Sequence, residues 1–329
     1  ALEDRILDEA AHAAASSPLS KVLMARKAIS KISSGSRDRI PNAPLVTIVI
    51  PVHNGKHLTV NCLESLAKTG AKVRHEIVVV DDASNDGTNR LLRDMESANK
   101  IRLVAHSTNE GFARSCNDGA AAASGDILVF LNNDTLVLPG WLDVLVDELL
   151  RDPSVGAAGS RLLYPDGTIQ HAGMVWEKPE SPHPEHAFRR HPGDGPEVGV
   201  TMDYPGVTGA CLAVPTELFR KMGGFSLEYG MYSEDVDFCL RIWESGLRVR
   251  YCASSRVVHL ESATPMDIRS RTEKVHKSAD LLRTAWNARW PKAFESMPDW
   301  MWPKPTPAAA PLRPSKGPYR IGFDARTFS

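Results

Sequence analysis

The hydrophobic pattern between residues 45 and 150 repeats one unit four times: a short apolar run, followed by a stretch with apolar residues at helical spacing. The runs are rich in β-branched residues, which is typical of strands buried on both faces of a parallel sheet. Alternating strands and helices predict an α/β fold, with a mostly parallel central sheet flanked by helices. The predicted strands are Val46–Val52, His75–Asp82, Ile101–His106 and Ile127–Leu131.

The second half of the chain has a looser pattern. Glu177–Glu197 is rich in Pro, Gly and His and is predicted to be a long loop, a feature that is usually functional when it occurs. Trp176, His183 and His186, on or beside it, could line a ligand site, although an ordinary loop explains the two histidines better. Further predicted elements are strands at Val155–Ala158, Leu247–Cys252 and Arg256–Leu260, and helices at Ser233–Ser245 and Leu281–Trp290.

The chain divides into three predicted parts. Residues 1–43 form a helical extension and linker, in which the basic, amphipathic stretch Leu19–Ile32 suits a packing helix, a partner-binding helix or peripheral contact with an anionic membrane. Residues 44–290 form the α/β domain. Residues 291–329 form a Pro-rich linker and, at Tyr319–Arg326, a segment that reads like the opening strand of a further catalytic domain.

Composition narrows the class of protein. The chain of 329 residues is 42% hydrophobic and 24% charged, as is ordinary for a globular protein. Its formal charge of −1 gives no reason to expect nucleic acid as a partner. No apolar run is long enough for a membrane span, and the 5 cysteines are scattered, which favours a reducing compartment. We therefore expect a cytoplasmic protein, with contact at the inner face of the membrane as the alternative.

Polar residues follow the most apolar run directly. Asn132, Asn133 and Asp134 come after Ile127–Leu131, at the carboxyl end of a predicted parallel strand. In an open parallel sheet this end lines the ligand crevice, where a carboxylate can hold a divalent cation over a diphosphate. A simple turn explains the same three residues, because Asn and Asp dominate turns.

Two more acidic groups lie at element ends. Asp81 and Asp82 follow the second strand, and Glu234, Asp235 and Asp237 open a predicted helix. Asp81 and Asp82 could cap the next helix, and the acids at 234–237 could interact favourably with the dipole of the helix that they open. The fold nevertheless predicts that Asp81, Asp82 and the Asn-Asn-Asp cluster meet at one sheet edge.

Six motifs, in order, resemble the inverting family-2 glycosyltransferases of bacterial polysaccharide synthesis, including rhamnosyltransferases. The resemblance covers roughly residues 45 to 259. It implies the GT-A fold, with a Rossmann-like half for the nucleotide-sugar and an acceptor half. The motifs are Val46–Val52, Asp81–Ser84, Asn109–Ala113, Asn132–Asp134, Gly209–Cys211 and Glu234–Arg241.

The resemblance also implies residue roles for the donor. Asp82 matches the residue that accepts the N3–H of uracil or thymine, with Asp81 as the alternative, and Glu234 and Asp237 are expected to orient the helix and the acceptor. The full implied nucleotide-sugar-binding set is Pro51, His53, Asn54, Asp81, Asp82, Asn109, Gly111, Arg114, Asn132, Asn133, Gly209 and Glu234.

The metal site and the base come from the same resemblance. Asp134 matches the last acid of the family's metal-binding DxD motif, and His259 a frequent third ligand, so Mn²⁺ or Mg²⁺ is the implied cofactor. Asn132 replaces the motif's first acid, yet an amide oxygen still ligates a hard cation. A lone core histidine is the alternative for His259. Asp235 matches the general base, and Arg241 could pair with Asp237 or reach phosphate.

The resulting hypothesis is a metal-dependent transferase that moves a hexose or deoxyhexose from a UDP- or dTDP-sugar to a glycan or lipid-linked glycan at the cell surface. A nucleotidyltransferase is disfavoured, because the loop His53–Lys56 has one glycine where a triphosphate loop needs several. A sugar-nucleotide-binding scaffold that has lost catalysis is the other alternative, supported by Asn132 and opposed by Asp134, Asp235 and His259.

Overall fold

The computed structural model describes residues 44–176, 184–230, 232–260, 268–286 and 289. The helices are α1 (Lys56–Thr69), α2 (Thr88–Ser97), α3 (Phe112–Ala122), α4 (Trp141–Arg151), α5 (Thr216–Lys221), α6 (Glu234–Glu244) and α7 (Ile268–Trp286). The strands are β1 (Val46–Val52), β2 (His75–Asp81), β3 (Arg102–Ala105), β4 (Ile127–Leu131), β5 (Thr135–Val137), β6 (Val155–Leu163), β7 (Ile169–His171), β8 (Met174–Val175), β9 (Glu185–His186), β10 (Met202–Asp203), β11 (Cys211–Pro215) and β12 (Arg248–His259).

One 10-stranded sheet organises the domain in the order β10-β12-β6-β11-β4-β1-β2-β3, with β5 paired to β12 and β7 to β6. Strands β3, β2, β1 and β4 are parallel neighbours, whereas β11 runs antiparallel between β4 and β6. The chain leaves β1 toward β2 on one side and reaches β4 on the other. The boundary between β1 and β4 is therefore the switch point at which such sheets bind ligands, and the predicted α/β class with a mostly parallel sheet is confirmed.

Helices cover both faces of the sheet. One apolar cluster places α1, α2 and α4 on one face, through residues such as Cys62, Leu92 and Trp141. The other places α3, α5, α6 and α7 on the opposite face, through residues such as Cys116 and Phe238. The central strands are consequently buried on both sides, which explains their continuous apolar runs.

Helix α3 lies unusually close to the sheet because its buried face carries small residues. A Cβ added at Gly119 would lie 2.3 Å from Val49 Cγ1 and 3.0 Å from Val80 Cγ2, inside van der Waals contact. Only glycine permits this approach. It sets the position of Gly111, which caps the amino end of α3.

Two predicted elements differ from the structure. The two short strands predicted at Leu247–Cys252 and Arg256–Leu260 form one strand, β12, with a register shift between Cys252 and Arg256. Ser255, in the polar stretch between the two predicted strands, is buried, and its hydroxyl donates to the Trp141 carbonyl at 2.7 Å. The closing helix predicted at Leu281–Trp290 begins earlier, at Ile268. Its buried positions Ala279, Leu282 and Trp286 are too few for the pattern to reveal its first half.

The loop predicted at Glu177–Glu197 is also partly structured. It contains β9, which pairs with β8, and a 3₁₀ turn at Pro196–Val198. Trp176 is 2% exposed and belongs to the core, so it does not line an acceptor site. Residues 177–183, with His183, lie outside the described residues, as do the predicted extension at 1–43 and the segment 291–329. Within the described part of the chain, no helix has the length and apolar character to cross a membrane.

The close approach of α3 to the sheet gives a stability prediction. Gly119→Val should lower the free energy of unfolding by about 2 kcal/mol or more, because the new side chain overpacks the contact with Val49 and Val80. Urea denaturation measures the change. The matched control is Ala121→Val, which adds the same side chain at an exposed position of the same helix. Equal stabilities for the two variants would contradict the packing described here.

Candidate active site

The carboxyl ends of β1, β2 and β4 carry the polar residues that the sequence singled out. Val52 pairs with Asp81 in register, and the loops that follow these strands meet beside the switch point. His53 Nδ1 lies 2.6 Å from the Asp82 carbonyl oxygen, and the Asn54 N–H donates to Ser84 Oγ at 2.8 Å. The loops after β1 and β2 are thus one hydrogen-bonded unit, as the expected sheet edge requires.

These loops contain backbone conformations that non-glycine residues rarely adopt. Asn54 has φ 60° and Ala83 has φ 59°, both in the left-handed region. The Asn54 side chain offsets part of this strain, since its Oδ1 accepts the Asn85 N–H at 2.8 Å. Strain of this kind collects at ligand sites, where the surrounding structure holds it in place.

Asp82 is nearly buried and is already engaged by protein donors. Its Oδ2 accepts the Gly111 N–H at 2.8 Å, and its Oδ1 accepts the Glu110 N–H at 2.7 Å. His106 Nδ1 lies 2.8 Å from the same Oδ1. The carboxylate therefore holds the loop that leads into α3. Its contact with the uracil or thymine base of a nucleotide stays a prediction, and such a contact would compete with these hydrogen bonds.

The alternative base contact, Asp81, is in the same situation. Its Oδ1 accepts the Ser84 N–H at 3.0 Å, and its Oδ2 accepts the Asn89 side-chain amide at 2.6 Å. Asp81 is 1% exposed. Through these bonds, Asp81 supports the loop that follows β2.

The remaining nucleotide-side residues are spread around this edge. Asn133 donates to Thr59 Oγ1 at 3.0 Å, which ties the end of β4 to α1 and turns its amide away from open space. Arg114 is about half-exposed and lies 3.7 Å from Asp118. Asn109 is exposed and Pro51 half-buried within β1. Direct contacts of these four with a nucleotide stay predictions.

Asp134 and His259 come together as expected of metal ligands. His259 Nε2 lies 3.0 Å from Asp134 Oδ1, because β5, which begins next to Asp134, pairs with the end of β12. Both side chains are only slightly exposed. Asn132 is the third member, with its Nδ2 3.4 Å from His259 Nε2.

The donor set fits a divalent cation. Two neighbouring ligands of an octahedral ion bound at about 2.1 Å lie about 3.0 Å apart, which matches the separation between Asp134 and His259. Asn132 Oδ1 is a buried acceptor without a hydrogen-bond partner in the described structure, which an ion would satisfy. No three side chains from His, Cys, Asp and Glu assemble into a metal site anywhere in the described ranges. Such an ion would therefore depend on the Asn132 amide and on donor phosphates.

Asp235 lies in the first turn of α6, next to Gly209. Its Oδ2 accepts the Gly209 N–H at 2.7 Å, and its Oδ1 accepts its neighbour's N–H at 2.8 Å. A Cβ at Gly209 would lie only 3.4 Å from the Asp235 Cβ and from the Phe112 ring. The turn before α6 is strained, with φ 73° at Tyr232 and 70° at Ser233.

Asp237 has a different task from Asp235. Its Oδ1 accepts hydrogen bonds from the Tyr229 hydroxyl at 3.1 Å and the Trp286 indole at 2.9 Å, and its Oδ2 pairs with Arg241 at 2.8 Å. Arg241 also donates to two backbone carbonyls and is turned away from the metal side. Of the two alternatives for Arg241, the structure favours pairing with Asp237 over reaching phosphate. The Asp237 side chain holds α6 and α7 together.

Glu234 is a buried acid beside the expected base. It is 6% exposed, and its Oε2 has no hydrogen-bond partner among the described residues. Burial raises the pKa of its carboxyl from 4.5 to about 8, and the charge of Asp235 adds to the effect. Glu234 is therefore largely protonated at neutral pH.

A turn at residues 208–210 joins the two sides of the site. The Asn132 N–H donates to the Ala210 carbonyl at 3.0 Å, while the Gly209 N–H donates to Asp235. The Thr208 N–H donates to His171 Nε2 at 3.4 Å. The metal side and Asp235 are thus joined through consecutive residues of one turn.

Two residues of this arrangement were not singled out from the sequence. Gln170 accepts the His259 Nδ1–H at 2.7 Å, and His171 contacts the turn. Burial lowers the pKa of His171 well below 6.5, aided by His186 and His259. The sequence feature that could have indicated them is the polar pair Gln170-His171 between the apolar residues Ile169 and Ala172.

Family comparisons cover most of this fold. The model "Glycosyl transferase family 2" matches residues 47–200, and "Glycosyl transferase family group 2" matches residues 127–277. Together they span the sheet from β1 to β12 and include Asp134, Asp235 and His259. The chain belongs to glycosyltransferase family 2. This family-2 chain has the GT-A fold, as the motifs implied.

The relatives of this family-2 chain include bacterial polysaccharide proteins. O-antigen biosynthesis protein RfbC of Myxococcus xanthus is 34% identical over 234 residues, which are 68% of this chain but 18% of that protein's length. The N-acetylglucosaminyl-diphospho-decaprenol L-rhamnosyltransferase of Mycobacterium tuberculosis is 26% identical over 245 residues, 66% of this chain and 77% of that enzyme.

Two solved structures share the GT-A fold. GalNAc-T7, solved with UDP, GalNAc and Mn²⁺, has a TM-score of 0.60 at 18% identity and covers 78% of this chain and 52% of its own. The mannosyltransferase PcManGT of Pyrobaculum calidifontis, solved with GDP-Man and Mn²⁺, has a TM-score of 0.50 at 19% identity, covering 84% and 81%. At these identities the likeness shows the fold alone.

The raised pKa of Glu234 gives a pH prediction. The folded state binds a proton that the unfolded state releases above pH 4.5, so the stabilisation is complete below that value and is lost as pH rises toward about 8. The free energy of unfolding of the wild type should thus fall across this range relative to Glu234→Gln, whose amide does not titrate.

Urea denaturation at pH 5, 6.5 and 8.5 measures the difference. Glu217→Gln, at an exposed glutamate in the first turn of α5, is the control and should follow the wild-type profile. A constant difference between wild type and Glu234→Gln across the range would refute the buried, protonated state.

Proposed function

We propose that the chain is an inverting, metal-dependent glycosyltransferase that moves a hexose or deoxyhexose from a UDP- or dTDP-sugar to a hydroxyl of a growing glycan. The observation that carries the proposal is the hydrogen-bonded turn that joins Asn132, beside Asp134 and His259, to Asp235. The names of two relatives, an O-antigen biosynthesis protein and a rhamnosyltransferase, support cell-surface polysaccharide synthesis and a lipid-linked glycan acceptor.

Asp235 is the proposed general base. The Gly209 N–H holds its carboxylate at 2.7 Å, and the remaining lone pairs of both oxygens can accept a proton. The acceptor hydroxyl loses its proton to Asp235 as its oxygen attacks the anomeric carbon from the face opposite the leaving diphosphate. Attack from the opposite face inverts the configuration. The negative carboxylate also favours the positive charge that develops on the sugar.

The diphosphate is proposed to lie on the other side of the sugar. Asp134, His259 and the Asn132 amide would hold Mn²⁺ or Mg²⁺ there, and such an ion stabilises the charge that builds on the leaving group. Asp82 fixes the backbone of the loop between Asn109 and Gly111, and this loop is proposed to follow the nucleotide. Glu234, which burial keeps protonated at neutral pH, is not the proposed base.

An inactive sugar-nucleotide-binding module is the second candidate. Asn132, in place of an acid, removes one charge from the metal site. A mouse relative, "Inactive polypeptide N-acetylgalactosaminyltransferase-like protein 5", is 27% identical over 80% of this chain and 65% of its own length. The two candidates differ in turnover, since a binding module would bind a donor and release no sugar from it.

Asp235→Asn tests the base. The amide cannot take the proton, so transfer should fall by about 10²–10⁴-fold while donor affinity stays near the wild-type value. Turnover of radiolabelled UDP- and dTDP-sugars with Mn²⁺ and calorimetric donor binding measure the two quantities. Asp280→Asn, an exposed acid on α7, is the control. Near-normal transfer by Asp235→Asn would remove Asp235 from the base role, and release of pyrophosphate from NTP and sugar phosphate would indicate a nucleotidyltransferase.

Asp134→Ala tests the metal site. Removal of the carboxylate should weaken the binding of UDP and dTDP by about tenfold or more in Mn²⁺ and leave it unchanged in EDTA, because only the metal-bridged part is lost. A thermal-shift screen of nucleoside diphosphates with and without Mn²⁺ gives the comparison. Asp94→Ala, at an exposed position of α2, serves as the control. An unchanged UDP affinity in Mn²⁺ would exclude Asp134 as a ligand.

A further inference from the structure

Strand β7 carries two adjacent buried polar residues. Gln170 is 3% exposed and His171 is fully buried, although the strand lies in a mostly apolar part of the core. Buried polar groups of this kind are retained when their hydrogen bonds hold other groups in place.

Gln170 determines which ring nitrogen of His259, the proposed metal ligand, carries the proton. Its Oε1 accepts the Nδ1–H of His259 at 2.7 Å, which makes Nε2 the unprotonated nitrogen of the neutral ring. Nε2 is the atom that lies 3.0 Å from Asp134 Oδ1. A histidine ligates a metal through an unprotonated nitrogen, and a hydrogen bond at the other nitrogen fixes that tautomer and the ring orientation.

His171 holds the turn that orients Asp235. Its Nε2 accepts the Thr208 N–H at 3.4 Å, and the next N–H along the chain, that of Gly209, donates to Asp235. His171 Nδ1 lies 3.2 Å from His186 Nδ1. A proton on His171 Nδ1 lets that atom donate to His186, while His171 Nε2 accepts from Thr208. The ring of His171 is therefore fixed from two directions.

Adjacent residues of a strand face opposite ways, which allows one short strand to serve both sides of a site. We infer that Gln170 and His171 are paired positioning residues: Gln170 prepares His259 for metal binding, and His171 holds the 208–210 turn that aims Asp235. The inference rests on the transferase function proposed above. It predicts that Gln170 affects Mn²⁺ affinity and that His171 affects kcat.

Gln170 is tested with Mn²⁺ alone, without a donor. Gln170→Met removes the acceptor at similar size, and it should weaken Mn²⁺ binding by about tenfold or more, as is usual for such supporting contacts. Gln170→Glu keeps an acceptor for the His259 Nδ1–H and should retain the affinity. Electron paramagnetic resonance of free Mn²⁺ gives both dissociation constants. Wild-type affinity in a folded Gln170→Met variant would overturn this half.

The role of His171 is tested by comparing the change in kcat with the change in Mn²⁺ affinity in the same variant. His171→Leu should lower kcat about tenfold or more, because Thr208 and the Gly209–Asp235 bond next to it lose their support, with a much smaller loss of Mn²⁺ affinity. His171→Gln places an oxygen near the Nε2 position and should restore most of kcat. Ile169→Val, a buried apolar position of the same strand, is the control for general disturbance. Equal losses of kcat and Mn²⁺ affinity in His171→Leu would show a merely structural role.

The tautomer of His259 is measured directly in the wild-type chain, which avoids any folding defect. Long-range ¹⁵N NMR of histidine-labelled, metal-free protein, recorded at a pH at which the ring is neutral, should show the proton on Nδ1 and not on Nε2, with the resonance assigned through His259→Asn. An Nε2–H tautomer would overturn the role of Gln170. Both this measurement and Mn²⁺ binding are independent of transfer, so failure of the proposed function and failure of the positioning role can be distinguished.

Discussion

The hydrogen bond from the Gly209 N–H to Asp235 is the contact on which the site depends. Gly209 belongs to a turn whose next carbonyl, that of Ala210, accepts the N–H of Asn132. The turn leads directly into β11, the antiparallel strand inserted between β4 and β6. Because the turn leads into the sheet, the proposed base Asp235 and the proposed metal ligand Asp134 are held in one frame, although 101 residues separate them in sequence.

The polar residues at the carboxyl ends of the strands divide into two kinds. Asp81, Asp82 and Asn133 use their side chains to join neighbouring loops, and this builds the crevice. Asn132 Oδ1, beside the paired side chains of Asp134 and His259, is a buried acceptor without a hydrogen-bond partner in the described structure, and this is a property that a ligand site requires. The same division separates Asp237, which ties α6 to α7, from Asp235, whose oxygens keep spare acceptor capacity.

The sequence was sufficient for the fold and for the residues that meet at the sheet edge, because continuous apolar runs ending in Asn or Asp mark parallel strands and their ligand end. It was not sufficient for β12 and α7, where a buried serine and a mostly polar helix surface hide the pattern. Gln170 and His171 were missed for a related reason: their role depends on partners 89 and 37 residues away, which no local pattern shows.

The central claim is that one frame holds a metal-bound diphosphate and a lone base on opposite sides of a sugar. A crystal structure of the full chain with Mn²⁺ and UDP or dTDP, whichever binds, tests it most directly. We expect the ion to be ligated by Asp134 Oδ1 and His259 Nε2 and by the diphosphate, with the Asp235 carboxylate facing the sugar pocket. An ion or diphosphate bound away from Asp134, or a pocket that Asp235 does not face, would contradict the account.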